Sequence, residues 1–177
     1  MKRSRSRQLR VLGIAVSTRG IGFALMEGEN RLVDWGVKAA KRDKNARSLS
    51  NLAKLLAYYN PEVLVLENTA SAGSRRCPRI QALTKRIVAL AEGRRIKVKQ
   101  FSRRQVTFRF FADGQGTKHE LAEHLAGRFP EELGFRLPPK RKAWMNEDGR
   151  MDIFDAVALA VHALRVGAGN DGGRWNV

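Results

Sequence analysis

The stretch that most constrains this chain is Leu9–Met26, LRVLGIAVSTRGIGFALM. Two apolar runs flank a polar turn, Ser17-Thr18-Arg19-Gly20. Val11, Ile14 and Val16 make the first run rich in β-branched side chains, and Ile21, Phe23 and Leu25 alternate along the second. The pattern predicts an N-terminal hairpin able to seed a sheet. Its turn, rich in hydroxyls and glycine, suits close approach to a phosphate or a metal-bound water.

The rest of the chain extends that sheet. Arg31–Lys38 reads as a third strand that completes a meander. Leu49, Leu52, Leu55 and Leu56 share one helical stripe within Ala46–Tyr59, and Asn60-Pro61 stops the helix. Glu62–Glu67, EVLVLE, is an apolar run ending in an acid and suits a buried parallel strand. A loop follows over Asn68–Arg79, then a helix over Ile80–Ala91 and a fifth strand over Ile96–Phe101. Arg103–Phe111 predicts a short helix. Thr117 with Glu120 predicts a capping box opening a helix that runs from Lys118 towards Arg128. Pro130–Asp148 reads as a loop, and Met151–Val166 as the last helix. A meander followed by alternating helices and strands implies an α/β fold, a mixed five-stranded sheet with helices on both faces. It spans residues 9–166, between a basic flexible arm (1–8) and a Gly-rich flexible tail (167–177).

Charge narrows the partners. Lys and Arg total 34 against 17 acidic residues, a net charge of +17, which points to a polyanion, most simply nucleic acid. No long uncharged apolar run occurs, so a membrane span is not expected. The single Cys77 cannot form an intrachain disulfide and fits a reducing cytoplasm, with the chain associated with the nucleoid. Phosphate contacts are expected from Arg75, Arg76 and Arg79 in the loop after Glu67, from Arg103 and Arg104, and from Lys140, Arg141 and Lys142. Ser17, Thr18 and Arg19 lie where they could meet a phosphate near a cut. Trp144 and Phe135 are expected to pack against the sheet edge, with stacking on bases as the alternative.

Three acids fall in unusual places. Glu67 ends an apolar strand, and Asp152 and Asp155 lie three apart at the start of an otherwise apolar helix. Acids entering such a helix are costly to bury unless paired or bound to a cation. A strand-end acid and helix-start acids can converge on hard divalent cations, which in pairs activate water for phosphodiester cleavage.

In layout the chain resembles the RuvC-like Holliday junction resolvases of the RNase H-like superfamily. The matching stretches are VLGIAVSTRGIGFALME, PEVLVLENTA, FADGQGTKHELAEHL and MDIFDAVALAVHAL. The resemblance implies a magnesium-dependent (or manganese-dependent), structure-selective DNA endonuclease that acts as a homodimer on four-way junctions. It assigns Glu67, Asp152 and Asp155 as metal ligands, with Glu147 and Asp148 able to replace Asp152. Lys118 matches a lysine that approaches the active site and could contact the scissile phosphate. The helix over Ile80–Ala91 would be either a dimer seam, as in the family, or core packing. Two departures stand out. Asn68-Thr69-Ala70 offers no aromatic where such resolvases can place one to wedge the junction open. Ala15 stands where the family has an aspartate, and alanine cannot ligate a metal. The chain as it stands is therefore expected to be inactive in cleavage, either because an aspartate was replaced or because it is naturally a catalytically dead, nucleic-acid-binding module. A nuclease acting on RNA–DNA hybrids or flaps is a further alternative.

Overall fold

A computed structural model describes residues 8–170. The meander forms as β1 (Arg10–Ser17), β2 (Gly20–Glu27) and β3 (Leu32–Ala39). Then come α1 (Lys44–Tyr59), β4 (Val63–Glu67), α2 (Pro78–Gly93) and β5 (Lys97–Phe101). The C-terminal half holds α3 (Arg103–Phe110), α4 (Lys118–Arg128), α5 (Pro130–Leu133) and α6 (Met151–Asn170). The strand order is β3-β2-β1-β4-β5, antiparallel across the meander and parallel from β1 to β5. This is the mixed five-stranded sheet that the sequence predicts.

Three boundaries differ. The region expected as loop after Pro130 opens on α5, where Pro130 takes a first-turn position and Glu131 and Glu132 suit the helix dipole. A 3-10 turn follows over Gly134–Arg136. The last helix passes its expected end at Val166 and runs to Asn170, so the first residues assigned to the tail are helical. The rest of that tail, and the arm apart from its last residue, lie outside the described residues.

Strand alternation divides the core. Leu12, Ile14, Leu64 and Leu66 point to α1 and α2, where they meet Leu52, Leu83 and Ile87. The apolar stripe of α2 (Ile80, Leu83, Ile87, Ala91) is buried there as core packing. Val11, Ala15, Val63 and Val65 point the other way, to α6 and α4. Helix α6 lies directly on the sheet because two strand positions lack a side chain. An ideal Cβ on Gly13 would overlap the Ala156 carbonyl oxygen and stand 3.1 Å from its carbon. One on Gly22 would overlap the Asp152 carbonyl oxygen and stand 2.7 Å from Asp152 Cβ. Ala156 and Ala160 complete the close fit and are buried.

The same helix carries a buried base. His162 is 5% exposed and packs edge-on to Phe101 at 4.4 Å, and its Nδ1 has no hydrogen-bond partner among the described residues. Burial, aided by the charge of Arg109, pushes its pKa from 6.5 down to about 4. The unfolded chain therefore takes up this proton first. His162 contributes its full share of stability above about pH 6.5 and loses it as the pH falls towards about 4. The loss is at most about 3 kcal/mol. Urea unfolding midpoints should decline across that window, and His162→Gln should flatten the decline; an unchanged slope in the variant would refute this assignment.

Candidate active site

The site sits at the carboxyl ends of the parallel strands β1 and β4, where open α/β sheets form their binding crevices. The pairing Ile14↔Leu66 sets Ala15 beside Glu67, and alternation turns both towards α6. Gly13 and Gly22 fix α6 at a height that brings its first turn to the same end. A cavity of about 50 Å³ results, lined by Ala15, Glu67, Asp155 and Lys118, with Arg76 and Arg103 at its sides.

Each acid here already has a cation or a hydroxyl. Arg76 donates to Glu67 through Nη2 at 2.6 Å and Nε at 3.2 Å. Burial disfavours the Arg76 charge, but the bond to Glu67 outweighs it, and the guanidinium is held above its ordinary value. Asp155 and Glu147 are further from Arg76 and add to that effect. Lys118 Nζ bridges Asp155 at 2.9 Å and Glu147 at 2.7 Å. Burial raises the Glu147 carboxyl, yet the Lys118 bond prevails and holds it below the usual range. The Thr117–Glu120 capping box forms as expected and presents Lys118 from the first turn of α4. A cation there opposes the helix dipole, and its two carboxylate partners offset that cost.

Asp152 is only 3% exposed and faces Ser17, whose Oγ donates to Oδ2 at 2.7 Å. Arg19 Nη2 stands 3.5 Å from Oδ1. Burial raises the Asp152 pKa against the pull of Ser17 and Arg19. Arg19 also donates to the Glu147 carbonyl at 3.0 Å, which ties the β1–β2 turn to the segment entering α6. Asp148 is turned elsewhere: the Arg150 side chain binds it and holds its pKa near about 2. Of the two upstream acids, Glu147 is thus the one joined to the cavity, through Lys118.

The residues present do not fit a magnesium or manganese centre. Among the described residues, no three acidic, His or Cys side chains come together closely enough to hold a metal ion. Ala15 offers only a methyl group to the cavity that Glu67 and Asp155 also line, and both acids are engaged by Arg76 and Lys118.

Two basic grooves flank the cavity. The first, about 820 Å³, is lined by Arg75, Arg76, Arg103 and Arg104, and shares Glu67 and Thr107 with the cavity. The second, about 470 Å³, begins at Thr117 and Lys118 and runs past Lys140 and Arg141. Of the residues expected to meet phosphate, Thr18, Arg75, Arg103, Arg104, Lys140, Arg141 and Lys142 are exposed. The other four have partners within the protein. Ser17 and Arg19 serve Asp152, Arg76 serves Glu67, and Arg79 Nη1 donates to Asn45 Oδ1 at 2.8 Å. The pairing of Arg76 with Glu67 was invisible in the sequence, because it depends on how the loop after β4 folds back. Trp144 and Phe135 do not pack against the sheet edge: they are 78% and 67% exposed. Among the described residues, no helix is long and apolar enough to cross a membrane.

Neither a protein-family model nor a curated protein matches the sequence. Solved structures do match its fold. Thermus thermophilus RuvC in complex with a Holliday junction substrate superposes with a TM-score of 0.66 at 19% identity, covering 91% of this chain and 96% of that one. The yeast mitochondrial Holliday junction resolvase Ydc2 gives 0.60 at 18% identity, covering 92% and 80%. Fowlpox virus resolvase, complexed with its substrate Holliday junction DNA, gives 0.60 at 14% identity, covering 89% and 98%. These superpositions, over a five-stranded mixed sheet with α6 laid on β1 and β2, give this chain the RuvC-like, RNase H-like fold of Holliday junction resolvases.

Proposed function

We propose that this chain binds branched DNA, with a four-way junction as its substrate class, and does not cut it. One observation carries the reading: a cavity bearing Glu67, Asp155 and Lys118 lies between two basic grooves, with Ala15 where a third carboxylate would complete it. The exposed arginines and lysines hold the phosphodiester backbone and position it without reading bases. Lys118 and Arg76 face the phosphate that passes the cavity. Magnesium, or manganese in its place, belongs to this proposal only as the ion the acid set would take once a carboxylate stands at position 15. Two copies of the chain would set two such cavities against opposed strands of a junction, so a homodimer is part of the reading.

Gel-shift titrations of the full chain on a four-way junction, its duplex arms, an RNA–DNA hybrid and a single strand test this. The junction should bind most tightly. Log affinity should fall with log salt at a slope of about −0.9 for each phosphate neutralised. The junction should stay intact in magnesium. Equal affinity for all four, or an association insensitive to salt, would reject the proposal.

A further inference from the structure

We infer that the segment Lys140–Met145 is a stacking site for an unpaired nucleobase of the strand that crosses the acid cluster. The inference rests on the DNA-binding reading above and adds a contact of a different kind, to the base.

The argument starts from exposure. An indole is a large apolar surface, and folded chains normally cover it. Trp144 instead stands 78% exposed, with Lys142 Nζ over its ring at 5.2 Å. The Met145 N–H donates to the Lys142 carbonyl at 3.0 Å, a turn that presents Ala143 and Trp144 at its tip. The three residues Lys140, Arg141 and Lys142 lead into that turn, all exposed. An exposed aromatic among cations is how sequence-tolerant proteins grip single strands: the cations take the phosphates and the ring takes the base. The charge pattern disfavours an apolar or basic protein partner and favours a polyanion.

Position supports the same occupant. Met145 and Pro139 give the groove of about 470 Å³ an apolar wall, Lys140 and Arg141 line it with positive charge, and its two acids, Glu147 and Asp148, are already paired with Lys118 and Arg150. Its inner end is Lys118, which also lines the acid cavity. Glu147 anchors the segment there through Lys118 at 2.7 Å. Only Met145 and Asn146 lie between Trp144 and Glu147, and three backbone steps reach at most about 11 Å. A strand passing Lys118 therefore brings its next few nucleotides to the indole. A base can lie flat on that ring only when its own neighbour or complement has left one face open, so the site selects unpaired or unstacked positions.

Oligothymidylate and a four-way junction are the probes. The indole emission of the unmodified chain should be quenched by oligothymidylate, and Trp144→Ala should lose that quenching. Trp144→Ala should weaken binding of both probes about tenfold with an unchanged salt slope, because a stack and not an ion pair is removed. Trp144→Phe should recover most of the affinity. Lys142→Ala should instead lower the salt slope by about one. Circular dichroism melts of the variants should match the parent, since both side chains are exposed. Unchanged quenching and affinity in Trp144→Ala, with salt-dependent binding intact, would overturn the stacking site and leave the DNA reading standing. Loss of self-association in light scattering, with DNA binding intact, would make the tip a contact between copies and overturn it too. An unmodified chain that binds neither probe would overturn both.

Discussion

Ala15→Asp is expected to make this chain nick four-way DNA in magnesium, on the DNA-binding reading proposed above. The substitution places a carboxylate beside Glu67 in the cavity that Asp155 also lines, on the face of β1 that already points to α6. Ala15 is itself buried at the mouth of the cavity, so the added group points into the site and not into solvent. The added charge comes in excess of the pairs that Arg76 and Lys118 already make with Glu67 and Asp155. A hard divalent ion answers the excess better than a further shift of either side chain. Ala15→Asn supplies the same shape without the charge and should stay inactive. Nicking is read on a denaturing gel with a labelled junction, with and without magnesium. If Ala15→Asp binds junctions yet cuts no better than Ala15→Asn, the missing carboxylate is not what silences the site.

Gly13→Ala is the second large effect, and it acts on stability. A methyl group at position 13 collides with backbone, the Ala156 carbonyl, which cannot swing aside as a side chain would. Relief requires α6 to lift from β1 and β2, and α6 carries much of the core on that face. Overpacking of this kind costs about 3 kcal/mol or more. The urea midpoint should fall accordingly. Gly93→Ala is the control, since nothing lies within 4 Å of a Cβ at that helical position. It should be neutral, or stabilise the chain by up to about 1 kcal/mol. A Gly13→Ala chain as stable as its parent would show that α6 does not owe its seat to that glycine.

Much of this was legible in the sequence, for physical reasons. Period-two alternation in Leu9–Met26 and the apolar run before Glu67 place strands that the backbone can satisfy in only one way. Spacing alone put Asp152 and Asp155 on a buried helix face, and the Thr117–Glu120 cap placed Lys118. Helix ends were less legible. Gly167 reads as a stop, yet a glycine in a last turn costs little, and α6 continues. Helix α5 is a single turn, too short for any stripe to show. Loop side chains were the least legible. No periodicity governs Phe135 or Trp144, so the expectation that large aromatics are covered failed there. Arg76 and Arg79 look like surface cations in a basic loop. Only the folded loop reveals that one answers Glu67 and the other Asn45.

The ion pairs around the cavity have a thermodynamic consequence. Arg76, Lys118 and Arg19 are counter-ions built into the polypeptide, acquired when the chain folds and not when a ligand arrives. A phosphate that draws one of them towards itself leaves a carboxylate behind with less compensation. On the DNA-binding reading, part of the attraction would then be repaid by weakened bonds between the loops and the sheet. On the same reading, affinity for the backbone and rigidity of this end of the sheet are linked quantities, because Arg76 and Lys118 would serve both.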